Sequence, residues 1–167
     1  MEQLVDVLFE DDSIVVVNKP SGILTQAPPG IDSLEVRIRE YLRWKHRLTG
    51  DIYVGVPHRL DRPVSGAMVF ARRRKHAHRL SKQFERREVG KTYWAIVEGT
   101  VADDSGTLRD YMRKIPGRAF SEAVDAEHPD AKIAIQDFRV RKRFATPHES
   151  TWLEIELATG RTHQIRV

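Results

Sequence analysis

Apolar and polar positions alternate along most of the chain, and two helical periods interrupt that alternation. "LVDVLFE" (4–10) and "SIVVVNKP" (13–20) read as two strands joined by an acidic turn. "SGILTQAPPG" follows as a loop, because its glycines and prolines break both periods. Leu34, Ile38, Tyr41 and Leu42 then share one face of a helix expected over 33–47. Asp32 and Glu35 have capping-box spacing at its start, and Arg37, Arg43 and Arg47 line its opposite side.

"AMVFA" (67–71) reads as a short buried strand, followed by a second helix over 75–87 with Ala77, Leu80 and Phe84 at helical spacing. In "KTYWAIVEG" the alternation places Lys91, Tyr93, Ala95 and Val97 on one strand face. Glycine, proline and acidic clusters mark 99–130 as a connecting region, with a hairpin expected through "TLRDYMRK". Two more strands close the chain, "AIQDFRVRKRF" and "TWLEIELATG", the second turning Leu153, Ile155 and Leu157 inward. Strands dominate and no regular βαβ alternation occurs. The expected fold is therefore α+β, a mixed and largely antiparallel sheet with a few flanking helices.

Composition narrows this picture. A length of 167 residues fits one domain, 1–167, with a real core. The apolar run at 14–17 is far too short to span a bilayer, and the acidic N-terminus lacks a signal pattern. With no cysteine there are no disulfides, no thiol catalysis and no thiolate-bound metal. A cytoplasmic protein without a membrane partner is the simplest fit.

The charge is segregated. Residues 37–91 hold 16 Lys plus Arg against five Asp plus Glu, whereas the remainder holds 12 against 19. A basic segment of this kind suits a polyanion, since each neutralised phosphate releases counterions; it equally suits solvated helix faces. Arg72, Arg73, Arg74, Arg79, Lys82, Arg86 and Arg87 surround the second helix directly after "HRLDRPVSG" (58–66).

Three polar clusters fall at expected strand ends. "HRLD" sets Asp61 between Arg59 and Arg62, "KTYWA" carries Tyr93 on the face of Lys91, and "TGRTHQIR" puts Arg161 after a glycine turn. A paired arginine keeps a carboxylate charged in a pocket, and tyrosine offers a ring for stacking and a hydroxyl for proton handling. A turn ion pair, a core aromatic and a polar hairpin turn account for the same residues structurally. Other chemistries lack support. None of the seven histidines has zinc-site spacing, and His76 and His78 point to different helix faces. No phosphate-cradling glycine loop is present, and Ser65, His58 and Asp61 lack a nucleophile-elbow pattern.

"NKPSGILT", "VPHRLDRPVSGAMVFA", "FERREVGKTYWAIVEG" and "LATGRTHQIRV", in this order, resemble the sequence blocks of the RluA-type pseudouridine synthases over nearly the whole chain. Val64 stands where threonine is commoner, and Gln136 stands where relatives often carry threonine. The resemblance implies an enzyme that isomerises uridines of ribosomal or transfer RNA to pseudouridine, with no cofactor and no metal. Asp61 matches the catalytic aspartate, which either attacks the sugar or abstracts a ribose proton. Arg161 matches the arginine paired with it, and Tyr93 the tyrosine set against the uracil as stacking partner and proton acceptor. Arg59 aligns with an arginine that holds the target nucleotide out of its stack, and Ile165 with an apolar pocket residue. Arg73, Lys75, Arg79 and Lys82 are the expected RNA-backbone contacts.

The sequence is expected to be a single catalytic domain, 1–167, with no separate N-terminal RNA-binding domain ahead of the first strands. The family's domain continues past "HQIR", so a C-terminally incomplete form is expected. In it the strand near Thr151 lacks a neighbour, and an otherwise monomeric chain self-associates through the uncovered edge. A catalytically impaired RNA-binding module derived from the same fold is the alternative reading.

Overall fold

Ser13 and Ile14 donate their backbone N–H groups to Asp11 Oδ1 at 2.7 and 2.8 Å, which closes the acidic turn foreseen after the first strand. It joins β1 (Asp6–Glu10) to β2 (Ile14–Lys19) in an antiparallel pair. The computed structural model describes residues 5–167, so Leu4, assigned above to the first strand, lies outside the described residues. The chain divides into two compact units, one ending at Glu88 and the other beginning at Val89.

In the first unit, β3 (Gly66–Ala71) completes a three-stranded antiparallel sheet of order β1-β2-β3. Val15 and Val17 of β2, Met68 and Phe70 of β3, and Leu34, Ile38 and Leu42 of α1 (Leu34–His46) form its core. The apolar face expected on that helix is the buried one. Its cap differs from expectation: Ser33 Oγ accepts from Val36 N, while Asp32 forms a two-pronged ion pair with Arg37. Asp32 is one residue too early to reach the free N–H groups of the first turn. The second helix, α2 (Arg74–Glu85), stops two residues before the expected end, and Arg87 beyond it adopts a φ of 61°. Gly55 bridges to Ala71 beside α2; a Cβ there would come within 2.5 Å of Ala77 Cβ, so only glycine permits this approach.

The second unit is a five-stranded sheet built from β4 (Thr92–Glu98), β5 (Ser105–Lys114), β6 (Ser121–Ala123), β7 (Lys132–Phe144) and β8 (Ser150–Leu157). Its order is β4-β8-β7-β5-β6, and every neighbour is antiparallel. The α+β class holds, with two sheets rather than one, and no parallel pair occurs among the described residues. "TLRDYMRK" is a single strand within β5, and the hairpin is made with β6. The strand at Thr151 does not lack a neighbour. β8 pairs with β4 on one side and β7 on the other, because Tyr93 opposite Ile155 and Ala95 opposite Leu153 bring the apolar faces of two strands into register.

Candidate active site

Period-2 alternation carries β2 inward through Val15, Val17 and Lys19, all three fully buried. Lys19 thus places an ammonium where a valine is expected, and the backbone around it supplies the partners. Its Nζ donates to the carbonyl oxygens of Pro20, Asp61, Arg62 and Val64 at 3.1, 3.1, 3.3 and 2.7 Å. Three of those carbonyls belong to the loop that bears Asp61. Burial pushes the Lys19 ammonium below its usual lysine value, and the nearby Asp61 charge opposes that shift. The buried ammonium therefore fixes the backbone of the loop that carries the carboxylate.

The same two loops are joined by five further hydrogen bonds. Thr25 Oγ1 donates to Leu60 O and accepts from Leu60 N. Ser21 Oγ donates to Pro63 O at 2.8 Å, Gly22 N donates to Arg62 O at 2.8 Å, and Arg62 Nε donates to Gly22 O at 2.9 Å. Gly22 adopts a φ of 91°, which turns its N–H toward Arg62 at no steric cost. "NKPSGILT" is accordingly the cradle of "HRLDRP", and Asp61 sits half-buried at its centre. Arg62 is committed to the cradle, and Arg59 is exposed.

His58 faces the other way. Its Nε2 accepts from Val69 N at 3.2 Å and its ring stacks on Phe84 at 4.5 Å, so burial pushes its pKa down to about 4. A neutral imidazole engaged with strand and helix serves the fold, in line with setting aside a Ser65–His58–Asp61 triad.

At the head of the basic segment, Glu10 gathers Tyr41, Lys45, His46 and Arg72 within 2.6–3.2 Å and is held at a pKa of about 2. Burial alone raises that carboxyl; its hydrogen bonds to Lys45, His46 and Tyr41 overcome the effect. Arg72 is thereby neutralised, and Arg74 lies over the Tyr53 ring at 5.0 Å. Arg73, Lys75, Arg79 and Lys82 are exposed and join no ion pair among the described residues.

The second unit carries the remaining residues that the sequence marked as site candidates. Tyr93 is half-buried on the inward face of β4, as the alternation required. Beyond β8, the turn containing Arg161 is fixed by a neutral network. Gln164, 7% exposed, accepts from Thr159 Oγ1 and Arg161 N at 2.7 and 3.0 Å through its Oε1. Its Nε2 donates to Ile135 O and to Gln136 Oε1 at 3.1 and 3.3 Å. Arg161 Nε donates to Ile133 O at 2.8 Å, which sets the guanidinium plane. Ile165 follows, half-buried. Gln136, noted above as a departure, is thus the β7 partner of Gln164.

Sequence reasoning missed Lys19, Thr159 and Gln164 as positioning residues. For Lys19 the signal was present: an inward alternating position that is polar and precedes proline. For Gln164 and Thr159 no local pattern distinguishes them from a polar turn. Among the described residues no helix is long and apolar enough to cross a membrane, and no cluster of His, Asp and Glu is arranged to hold a metal ion.

A family model described as RNA pseudouridylate synthase matches residues 13–167. The RNA pseudouridine synthase YhcT of Bacillus subtilis is 34% identical over 97% of this chain and 52% of its own length. The dual-specificity RNA pseudouridine synthase RluA of Vibrio vulnificus is 35% identical over 97% of this chain and 62% of its own. In fold, human RNA pseudouridylate synthase domain containing 4 superposes with a TM-score of 0.79 at 24% identity, covering 97% of this chain and 62% of that one. The chain spans half to three-fifths of the length of these relatives.

Proposed function

Because the chain belongs to the RNA pseudouridylate synthase family, as an RluA-type member, we propose that it converts specific uridines in structured RNA to pseudouridine. The N1–C1′ bond breaks, the detached uracil turns, and C5 bonds to C1′. The C5 proton leaves and N1 gains one, so the product is an isomer and nothing is consumed. Asp61 supplies the carboxylate, adding to C1′ or taking a ribose proton; either step needs its ionised form. Tyr93 stacks on the uracil and accepts the C5 proton. The Arg161 guanidinium balances the carboxylate charge, Arg59 holds the target nucleotide out of its stack, and Ile165 walls the base pocket.

The observation that carries this reading is the seating of Asp61: a single carboxylate on a loop clamped at three carbonyls by a buried ammonium. Preorganised charge of this kind acts without reorganisation at the moment of reaction. Extruding a base from its stack costs a few kcal/mol, which phosphate contacts from Arg73, Lys75, Arg79 and Lys82 offset. The protein acts as a monomer in the cytoplasm, on ribosomal or transfer RNA, with both units serving one catalytic domain. Incubation with unmodified ribosomal and transfer RNA transcripts, followed by mapping of carbodiimide adducts, tests it. New pseudouridine at defined positions in one class of RNA is expected. Binding of both classes without any new pseudouridine would leave only an RNA-binding module.

A further inference from the structure

We propose that a second anion-binding site lies wholly on the second unit, and that it grips RNA phosphates beside Arg161. The site is a cleft of about 410 Å³ lined by Lys114, Ser121, Lys132, Gly160, Arg161 and Thr162. Strand register fixes its chemistry. Lys132 lies directly opposite Met112, and Lys114 follows Met112 by two residues, so both lysines project from the same sheet face. Ser121 opposes Lys114 and adds a hydroxyl to that face.

Arg113 also borders the cleft but is neutralised there, because Glu122 pairs with it at 2.6 Å and His128 approaches at 2.7 Å. Among the described residues, neither Lys114 nor Lys132 joins an ion pair or a side-chain hydrogen bond. Asp130 is the one carboxylate on the cleft wall, against Lys114, Lys132, Arg161 and the Glu122-paired Arg113. A Cβ placed on Gly160 would meet nothing within 4 Å, so the floor beside Arg161 is open to a bulky ligand. Cations, two hydroxyls and an open floor suit the phosphodiester of a chain that passes Arg161, more than a planar carboxylate, for which a fork of paired arginines is the better match.

This inference rests on the RNA reading and adds the residues that hold the strand next to the target nucleotide. The test is fluorescence anisotropy of labelled oligouridylate against salt concentration. Wild type is compared with a K114A/K132A variant, its K114R/K132R counterpart and a K142A control. Lys142 lies outside the cleft, over the Phe144 ring. Loss of two phosphate contacts should weaken binding roughly tenfold at moderate salt and flatten the salt slope by about 1.4. The arginine pair should restore both, and K142A should match wild type. Wild-type affinity and slope in K114A/K132A, with the thermal melt unchanged, would overturn the cleft while leaving the RNA reading intact. Failure of wild type itself to bind oligouridylate, ribosomal RNA or transfer RNA would remove both.

Discussion

In the first unit the loop bearing Asp61 is fixed by a charge, one buried ammonium shared among four carbonyls. In the second unit the turn bearing Arg161 is fixed by neutral groups, the Gln164 amide and the Thr159 hydroxyl. The surroundings differ in the same sense. The first unit encloses a cluster of buried aliphatic and aromatic side chains. In the second, one sheet face leaves Trp94 and Ile96 71% and 72% exposed. Four carbonyl oxygens offset the cost of burying the ammonium in that apolar core, and the shared charge holds the loop. A neutral network beside Arg161 holds the guanidinium in place without cancelling its field. Each clamp matches the charge it supports.

This contrast is broken most easily at Lys19. Replacement by methionine keeps the apolar stem but leaves buried carbonyls without a donor, and should destabilise the protein by about 4 kcal/mol in urea unfolding. A loss under about 1 kcal/mol would mean that the loop holds its shape without the charge. Replacement of Gln164 by leucine strips partners from Ile135 O and Arg161 N but leaves no charge exposed to an apolar site. It should cost about 2 kcal/mol. A cost equal to that of the Lys19 variant would erase the distinction between charged and neutral clamps.

Acid should act chiefly on the first unit. His58 is neutral in the fold with a pKa of about 4 against an ordinary 6.5, so its contribution is present above pH 6.5 and is lost as pH falls through 4. Glu10, at about 2 against 4.5, contributes above pH 4.5 and loses that contribution as pH falls through 2. Stability should therefore fall by on the order of 1 to 2 kcal/mol in the upper window before the Glu10 step begins. A His58→Gln variant should lose the upper step alone in a series of melts across pH. A wild-type profile that stays flat down to pH 4.5 would contradict the assignment.

The smallest effect separates two candidate caps. Ser33→Ala should cost about 1 kcal/mol, and Asp32→Ala, which removes only an exposed ion pair, about 0.5 kcal/mol or less. The reverse order in thermal melts would restore the capping box at Asp32.

Most of the fold was readable because hydrophobic period is a local property. Leu34, Ile38 and Leu42, and the alternation through Tyr93, Ala95 and Val97, report burial from within one element. Pairing is not local. The hairpin partner of "TLRDYMRK" and the second neighbour of β8 depend on register between distant strands, and both expectations there were corrected. The site divides in the same way. Family motifs singled out Asp61, Tyr93 and Arg161 as the proposed site residues, whereas the groups that seat the loops around Asp61 and Arg161 are tertiary. Lys19 reaches Asp61 O across 42 positions in the chain, and Gln164 reaches Gln136 across 28. Only the inward alternation of Lys19 hinted at such a contact.

Asp61 is the residue on which the whole account converges. RNA carrying tritium at uridine C5 loses the label only when C5 is bonded to the sugar, so tritium release reads the isomerisation itself. Wild-type protein should release the label, and Asp61→Asn should fall to background while still binding the same RNA. Release by the asparagine variant at a rate comparable to wild type, in a preparation free of host enzyme, would contradict the central claim.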